Sequence, residues 1–280
     1  MKKFWQHSYL ILLLITCIII VPTTLVLQSC KTDGPETTLT TTEATTTSTT
    51  TTTTVTTTTV PTTTTTSVKP STSKKPSSTV TFPDAAEKVS FPGVLFIGDS
   101  RTVGLRDYGK TSDATFFCGV GLSSNNATTK AVSVSGYGDI TLGNLLKKKQ
   151  FDTVYIMLGI NEIGGSLSGI ANKYQKIIDL VHGAQPNAIV VVQSTLHVTQ
   201  KRNQQEVAKK GYFNNERIDN LNTHLQKLAN GTTVRYLDMN PMFDDENNCL
   251  MAEAAAGDGI HIKAKYYLLW RKYLDENRIS

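Results

Sequence analysis

The chain is poor in charge, in cysteine and in long apolar runs. Of its 280 residues 18% are charged and four are cysteine. So few cysteines exclude a small disulfide-stapled scaffold. Basic residues outnumber acidic ones only 28 to 23, and six of the 28 fall within the first 75 positions. Those beyond Phe91 are scattered and not interleaved with aromatics, which excludes a nucleic-acid footprint. The run Lys147–Lys149 reads as a solvated helix end. One stretch near the N-terminus is long and apolar, and none follows it, which excludes a polytopic membrane protein. Composition also excludes collagen and long coiled coils.

What is there falls into three parts. Lys2 and Lys3 precede an apolar run from Leu10 to Leu27, and no Asp, Glu, Lys or Arg lies between Lys3 and Lys31. Residues 1–30 therefore read as an export signal or membrane anchor. The run is long enough to span a bilayer, although Pro22, Thr23 and Thr24 interrupt its second half. With the lysines inside, everything beyond residue 30 faces out. Leu27-Gln28-Ser29-Cys30 resembles a bacterial lipobox, on which reading Cys30 is lipidated and becomes the mature N-terminus. The alternative is an uncleaved helix with an incidental cysteine. Both place the protein on the extracellular face of a membrane, held through its N-terminal anchor.

Residues 31–90 follow as a linker. From Thr37 to Ser67, 23 of 31 residues are Thr. Such a segment lacks the apolar area needed to offset chain entropy. It is expected to be an extended tether holding the remainder roughly 4 nm from the anchor.

Residues 91–280 have the size and patterning of one domain. Short apolar runs at Val94–Ile97, Ala114–Cys118, Thr153–Leu158, Ala188–Val192 and Thr233–Leu237 predict five strands. Helical spacing appears at Ile140–Lys149, Ile170–Val181, Asn214–Leu228 and Lys263–Leu274. Strands without alternation are buried on both faces. Strands alternating with helices predict a parallel sheet between two helical layers. Ligands in such folds sit at the carboxyl ends of the strands. Of the remaining cysteines, Cys118 ends an apolar run and reads as a small buried hydrophobe. A Cys118–Cys249 bridge is open to an exported domain, but nothing in the sequence demands it.

Four segments at strand or helix ends carry chemistry. Gly98-Asp99-Ser100 follows the first strand, where a tight turn exposes a hydroxyl; a helix cap is the plainer reading. Gly119-Val120-Gly121 follows the second, where glycine lets a backbone N–H approach a ligand. Gly159-Ile160-Asn161-Glu162 follows the third, where an Asn amide is a neutral oxyanion donor or a cap. Asp258-Gly259-Ile260-His261 precedes the last helix and puts a carboxylate within reach of an imidazole. His7, His182, His197 and His224 show no metal-ligand spacing, though His197 follows the fourth strand and could line a cleft.

Taken in order, the four blocks resemble the SGNH (GDSL-type) hydrolases, over about Val94 to Leu274. The resemblance implies a flavodoxin-like three-layer α/β/α sandwich with a five-stranded parallel sheet, and ester hydrolysis through an acyl-enzyme. It assigns Ser100 as nucleophile, His261 as general base, Asp258 as its orienting carboxylate, and Ser100, Gly121 and Asn161 as oxyanion donors. No cofactor or metal is implied. The family's usual G-x-N-D departs here to Glu162, and Arg101 beside the nucleophile could contact substrate, although a surface ion pair is the plainer reading. Export, tether and the lack of an apolar insertion point to short acyl groups, acetyl foremost, on a carbohydrate or cell-wall glycan. Alternatives are an arylesterase, lysophospholipase or thioesterase, a partner-dependent glycan O-acetyltransferase, and a non-catalytic glycan-binding module.

Overall fold

The computed structural model describes residues 81–278. The export signal, Cys30 and most of the expected tether lie outside the described residues. Five parallel strands form the central sheet: β1 Val94–Gly98, β2 Thr115–Cys118, β3 Thr153–Met157, β4 Ile189–Gln193 and β5 Val234–Leu237. Their spatial order is β2-β1-β3-β4-β5, the flavodoxin-like order. β1 and β3 are buried along their whole lengths, as unalternating apolar strands require.

Parity along the strands divides the core. Leu95, Ile97, Val154, Ile156, Val190 and Val192 face one side. There they meet α2 (Leu142–Lys148), α3 (Leu167–Ala184) and α5 (Asn215–Gln226). Phe96, Tyr155, Met157 and Val191 face the other side, against α1 (Ser100–Tyr108) and α6 (Tyr267–Glu276). The result is the three-layer α/β/α sandwich. Phe96 stacks between Phe116 and Tyr155, at ring-centroid distances of 5.0 and 5.1 Å.

The helices follow from local sequence. α3 places Ile170, Tyr174, Ile177, Ile178 and Val181 on one buried stripe. Its N-terminus is capped by Ser166, whose hydroxyl accepts the Gly169 N–H at 3.2 Å. Asn214 caps α5 through the Arg217 N–H at 2.9 Å, and Ile218, Leu221 and Leu225 form its buried face.

Three features differ from the sequence reading. α2 begins at Leu142, because Gly138–Thr141 pairs antiparallel with Ala131–Val134 in a hairpin. The turn uses Gly136 and Gly138 at positive φ. A further helix, α4 (Gln200–Ala208), has Glu206 as its only buried residue; without an apolar stripe it leaves no periodicity to read. The last helix starts at Tyr267, after a single 3₁₀ turn at Ala264–Tyr266. Residues before the expected domain start also pack on it. Val89–Ser90 pairs with Thr111–Ser112, and the Phe82 ring meets Tyr266 edge-on at 5.1 Å. Cys118 and Cys249 are buried free thiols, so no bridge joins them. Burial pushes the Cys118 thiol up to about 11.

One side chain anchors the end of β3. The Tyr174 hydroxyl accepts the Leu158 N–H at 2.6 Å and donates to the Leu158 carbonyl at 2.9 Å. Tyr174→Phe removes both bonds in a dry site. It is expected to cost about 1–3 kcal/mol, read as a lower urea midpoint at unchanged m-value.

Candidate active site

The site begins at the end of β1. In the sheet register Gly98 lies opposite both Cys118 and Met157, so three strands end level with one another. A Cβ on Gly98 would sit 1.8 Å from Thr102 Oγ1 and 2.8 Å from the Met157 carbonyl. Only glycine lets the chain turn there directly into a helix. Asp99 caps α1 in extended conformation and accepts the Arg101 N–H at 2.9 Å. Ser100 is thereby the first helical residue, where backbone N–H groups have no intrahelical partner.

Arg101 is not at the surface. It is fully buried and pairs with the equally buried Asp99 at 2.9 Å. Burial alone would lower its pKa, but the adjacent Asp99 carboxylate outweighs burial and raises it. Sequence gave no sign of this, because burial of a charged residue depends on what the other layers place around it.

The end of the chain supplies the partners. Ser100 Oγ lies 2.8 Å from His261 Nε2. His261 Nδ1 lies 2.5 Å from Asp258 Oδ2. The other Asp258 oxygen accepts the N–H groups of Ile260 and His261, both at 3.0 Å. Burial pushes the Asp258 carboxyl up, but these backbone bonds and His261 together hold it below the usual carboxylate range. The carboxylate thus accepts from Nδ1–H, which leaves Nε2 free to accept the serine proton. Gly259 makes the turn at φ +72°, and a Cβ there would lie 2.5 Å from Thr199 Oγ1. The Thr199 N–H donates to the Gly259 carbonyl at 2.9 Å, so the segment after β4 braces the His261 turn.

The two remaining blocks face each other across the ends of β2 and β3. Gly119 N–H is consumed by the Gly98 carbonyl at 3.2 Å. The turn then closes from Leu122 N–H to the Gly119 carbonyl at 3.1 Å, with Gly121 at φ +72°. This favours Gly121 over Gly119 as the residue with an N–H to offer. Asn161 lies in the 3₁₀ turn after β3, entered through Gly159 at φ +112°. Its Nδ2 donates to the Leu122 carbonyl at 2.9 Å, which orients the amide. Leu122 and Thr199 act through backbone groups that any residue carries, so no side-chain signal could have marked them. Of the residues singled out from sequence, hydrogen bonds join Ser100, His261 and Asp258 in one chain, and the Asn161 amide is tied to the loop of Gly121 through the Leu122 carbonyl.

Comparison with known proteins identifies the family. Residues 96–269 match the model of the GDSL-like lipase/acylhydrolase family. The chain belongs to that family. It is accordingly an ester-cleaving enzyme. Among solved structures it resembles a candidate platelet activating factor from Streptococcus pneumonia, at 23% identity and a TM-score of 0.50, over 69% of this chain and 85% of that one. It also resembles a GDSL-like lipase from Bacteroides thetaiotaomicron, at 16% identity and TM-score 0.49, over 65% and 85%. A carbohydrate esterase family 3 protein from Talaromyces cellulolyticus aligns at 13% identity and TM-score 0.45, over 67% and 96%. At such identities the likeness concerns the fold alone. No curated protein matches the chain.

Two further features surround the GDSL-like centre. A cavity of about 430 Å³ opens beside Asp258, lined among others by Lys201, Arg202, Gln205 and Asp245. Its walls are mixed, with Leu250, Ala252, Ala255 and Ala256 beside the charged groups, and neither Ser100 nor His261 lines it. His197, in contrast, does not line a cleft. It is buried, with Nδ1 2.9 Å from Asp244 Oδ2 and Nε2 2.8 Å from Asp219 Oδ1. Burial lowers its pKa, but hydrogen bonds to Asp219 and Asp244 prevail and raise it from 6.5 to about 9. The clamp joins the β4–α4 segment to α5 and to the loop carrying Asp244.

This clamp makes stability depend on pH. The folded value lies above the unfolded one, so the imidazolium's contribution is fully present below pH 6.5. It is lost as pH rises through about 9. A shift of that size corresponds to on the order of 3 kcal/mol. Urea midpoints between pH 6.5 and 9.5 should fall for the parent chain and flatten in His197→Gln. Parallel profiles in the two proteins would contradict the assignment.

Proposed function

We propose that this GDSL-like enzyme hydrolyses short acyl esters, acetyl foremost, carried on a carbohydrate such as a cell-wall glycan. The observation that carries the hydrolytic mechanism is the unbroken relay from Ser100 Oγ through His261 to Asp258. Ser100 Oγ attacks the ester carbonyl while His261 Nε2 takes its proton. The tetrahedral oxyanion is met by the Ser100 and Gly121 N–H groups and the Asn161 amide. Collapse expels the alcohol, which takes the proton back from His261. Water then attacks the acyl-serine through the same base, releasing the acid and restoring Ser100. Asp258 stays ionised throughout, holds the reactive tautomer and stabilises the imidazolium.

The Thr-rich tether and export signal support a large, immobile substrate outside the cell, with the enzyme anchored to the outer membrane face through its N-terminal segment.

The test uses the full chain in detergent with p-nitrophenyl esters of increasing acyl length. Turnover should be highest on acetate and fall with chain length. Ser100→Ala should lower kcat by about four to six orders of magnitude at unchanged fold. Acetate release from acetylated xylan or peptidoglycan identifies the acceptor. Preference for long acyl chains would refute the acetyl assignment, and activity surviving in Ser100→Ala would refute the mechanism.

A further inference from the structure

The geometry points to Glu162 as a positioning residue that sets the width of the oxyanion site. The inference rests on the esterase reading above. Glu162 follows Asn161 in the same 3₁₀ turn, and it is buried. Its Oε1 accepts the Ser124 N–H at 2.6 Å. Ser124 lies three residues beyond Gly121 and two beyond Leu122. Two consecutive residues of one turn therefore grip the opposite loop at two points, Asn161 at the Leu122 carbonyl and Glu162 at the Ser124 N–H. One bond runs from the turn to the loop and the other from the loop to the turn, so the loop cannot slide without breaking one of them. The held segment is itself stiff: the Asn126 side chain accepts the Ser123 N–H at 2.9 Å, and Ala127 N–H donates to the Ser123 carbonyl at 2.9 Å.

The carboxylate has no other evident employment. Among the described residues its second oxygen is buried without a hydrogen-bond partner, and so is the Ser124 hydroxyl. Among the described residues Glu162 forms no ion pair. Burying a carboxyl group for one hydrogen bond is unfavourable, and such cost is characteristic of residues kept for a site rather than for stability. The bond also specifies length. Aspartate is one methylene shorter and would leave Ser124 unbound or draw the Gly121 loop toward Asn161. Glutamine keeps both the reach and an acceptor oxygen. Reach, rather than charge, is what the geometry demands.

The experiment compares the full chain with Glu162→Gln, Glu162→Asp and Glu162→Ala. It reads kcat and KM on p-nitrophenyl acetate, the rate of Ser100 labelling by a fluorophosphonate, the thermal midpoint, and hydrogen-exchange protection of the Ser124 amide. Misplaced oxyanion donors cost about 10- to 100-fold. Glu162→Asp and Glu162→Ala should lose that much in kcat and in labelling rate, with KM little changed and Ser124 protection reduced. Glu162→Gln should stay within about threefold of the parent on all readings. The proposal is overturned if Glu162→Asp keeps the parent kcat, if Glu162→Gln falls as far as Glu162→Asp, or if the losses follow the thermal midpoint. A parent chain with neither turnover nor Ser100-dependent labelling would instead defeat the esterase reading. Ser124 protection then still decides the contact, and its persistence in Glu162→Asp counts against it.

Discussion

The whole site hangs on the level ending of three parallel strands. Register sets Gly98 beside Cys118 and Met157, so the segments leaving β1, β2 and β3 emerge at one height and in adjacent positions. The missing Cβ of Gly98 makes this workable, since Thr102 and the Met157 carbonyl occupy the space a side chain would need. Ser100 is then presented at a helix start, with its neighbours' loops on either side. A shift of register by one residue would exchange the faces of the strand and carry the nucleophile away from both loops.

The catalytic groups are not all held with equal firmness. Asp99 and Arg101 fix the base of the nucleophile turn in a fully buried ion pair. Removing one partner of such a pair strands the other's charge in the core, so the turn and its hydroxyl are coupled to global stability. Asp258 and His261, by contrast, are about two-fifths exposed. Their geometry is maintained locally, by two backbone N–H groups on one carboxylate oxygen and by the brace from Thr199. A rigid serine facing a more accessible carboxylate–imidazole pair leaves that side of the centre open to water.

The bracing around the site is made largely by polar side chains bonding to backbone. Tyr174 holds Leu158, Asn161 holds Leu122, and Asn215 and Asn240 hold Val198 and His197. Loops at the carboxyl edge of a sheet have many backbone groups with no strand to pair with. Buried amides and hydroxyls satisfy them and in the same act fix the loop paths. Asn215 and Asn240 thus have a structural use although neither has a place in a catalytic scheme.

Much of this was legible in one dimension. Unbroken apolar runs at Val94, Thr153 and Ile189 announced strands buried on both faces, because hydrophobic burial depends on composition over a few residues. The stripes of α3 and α5 were equally plain, and the Ser, Asn and His blocks stood at strand or helix ends where chemistry is expected. The hairpin at 131–141 was not read, and its last residues, Ile140 and Thr141, were assigned to the following helix because Ile140 fitted a helical spacing. α4 was silent because it buries almost nothing. Sequence thus determined the layers and the five central strands, and it marked Ser100, Asp258 and His261 as candidates, because all of these follow from local pattern. Only the tertiary structure decided that Arg101 is buried against Asp99, that His197 is clamped by two carboxylates, and that Glu162 reaches across to Ser124. Each joins residues whose worth depends on distance in space, and spacing along a chain does not encode which buried polar atom will find which partner.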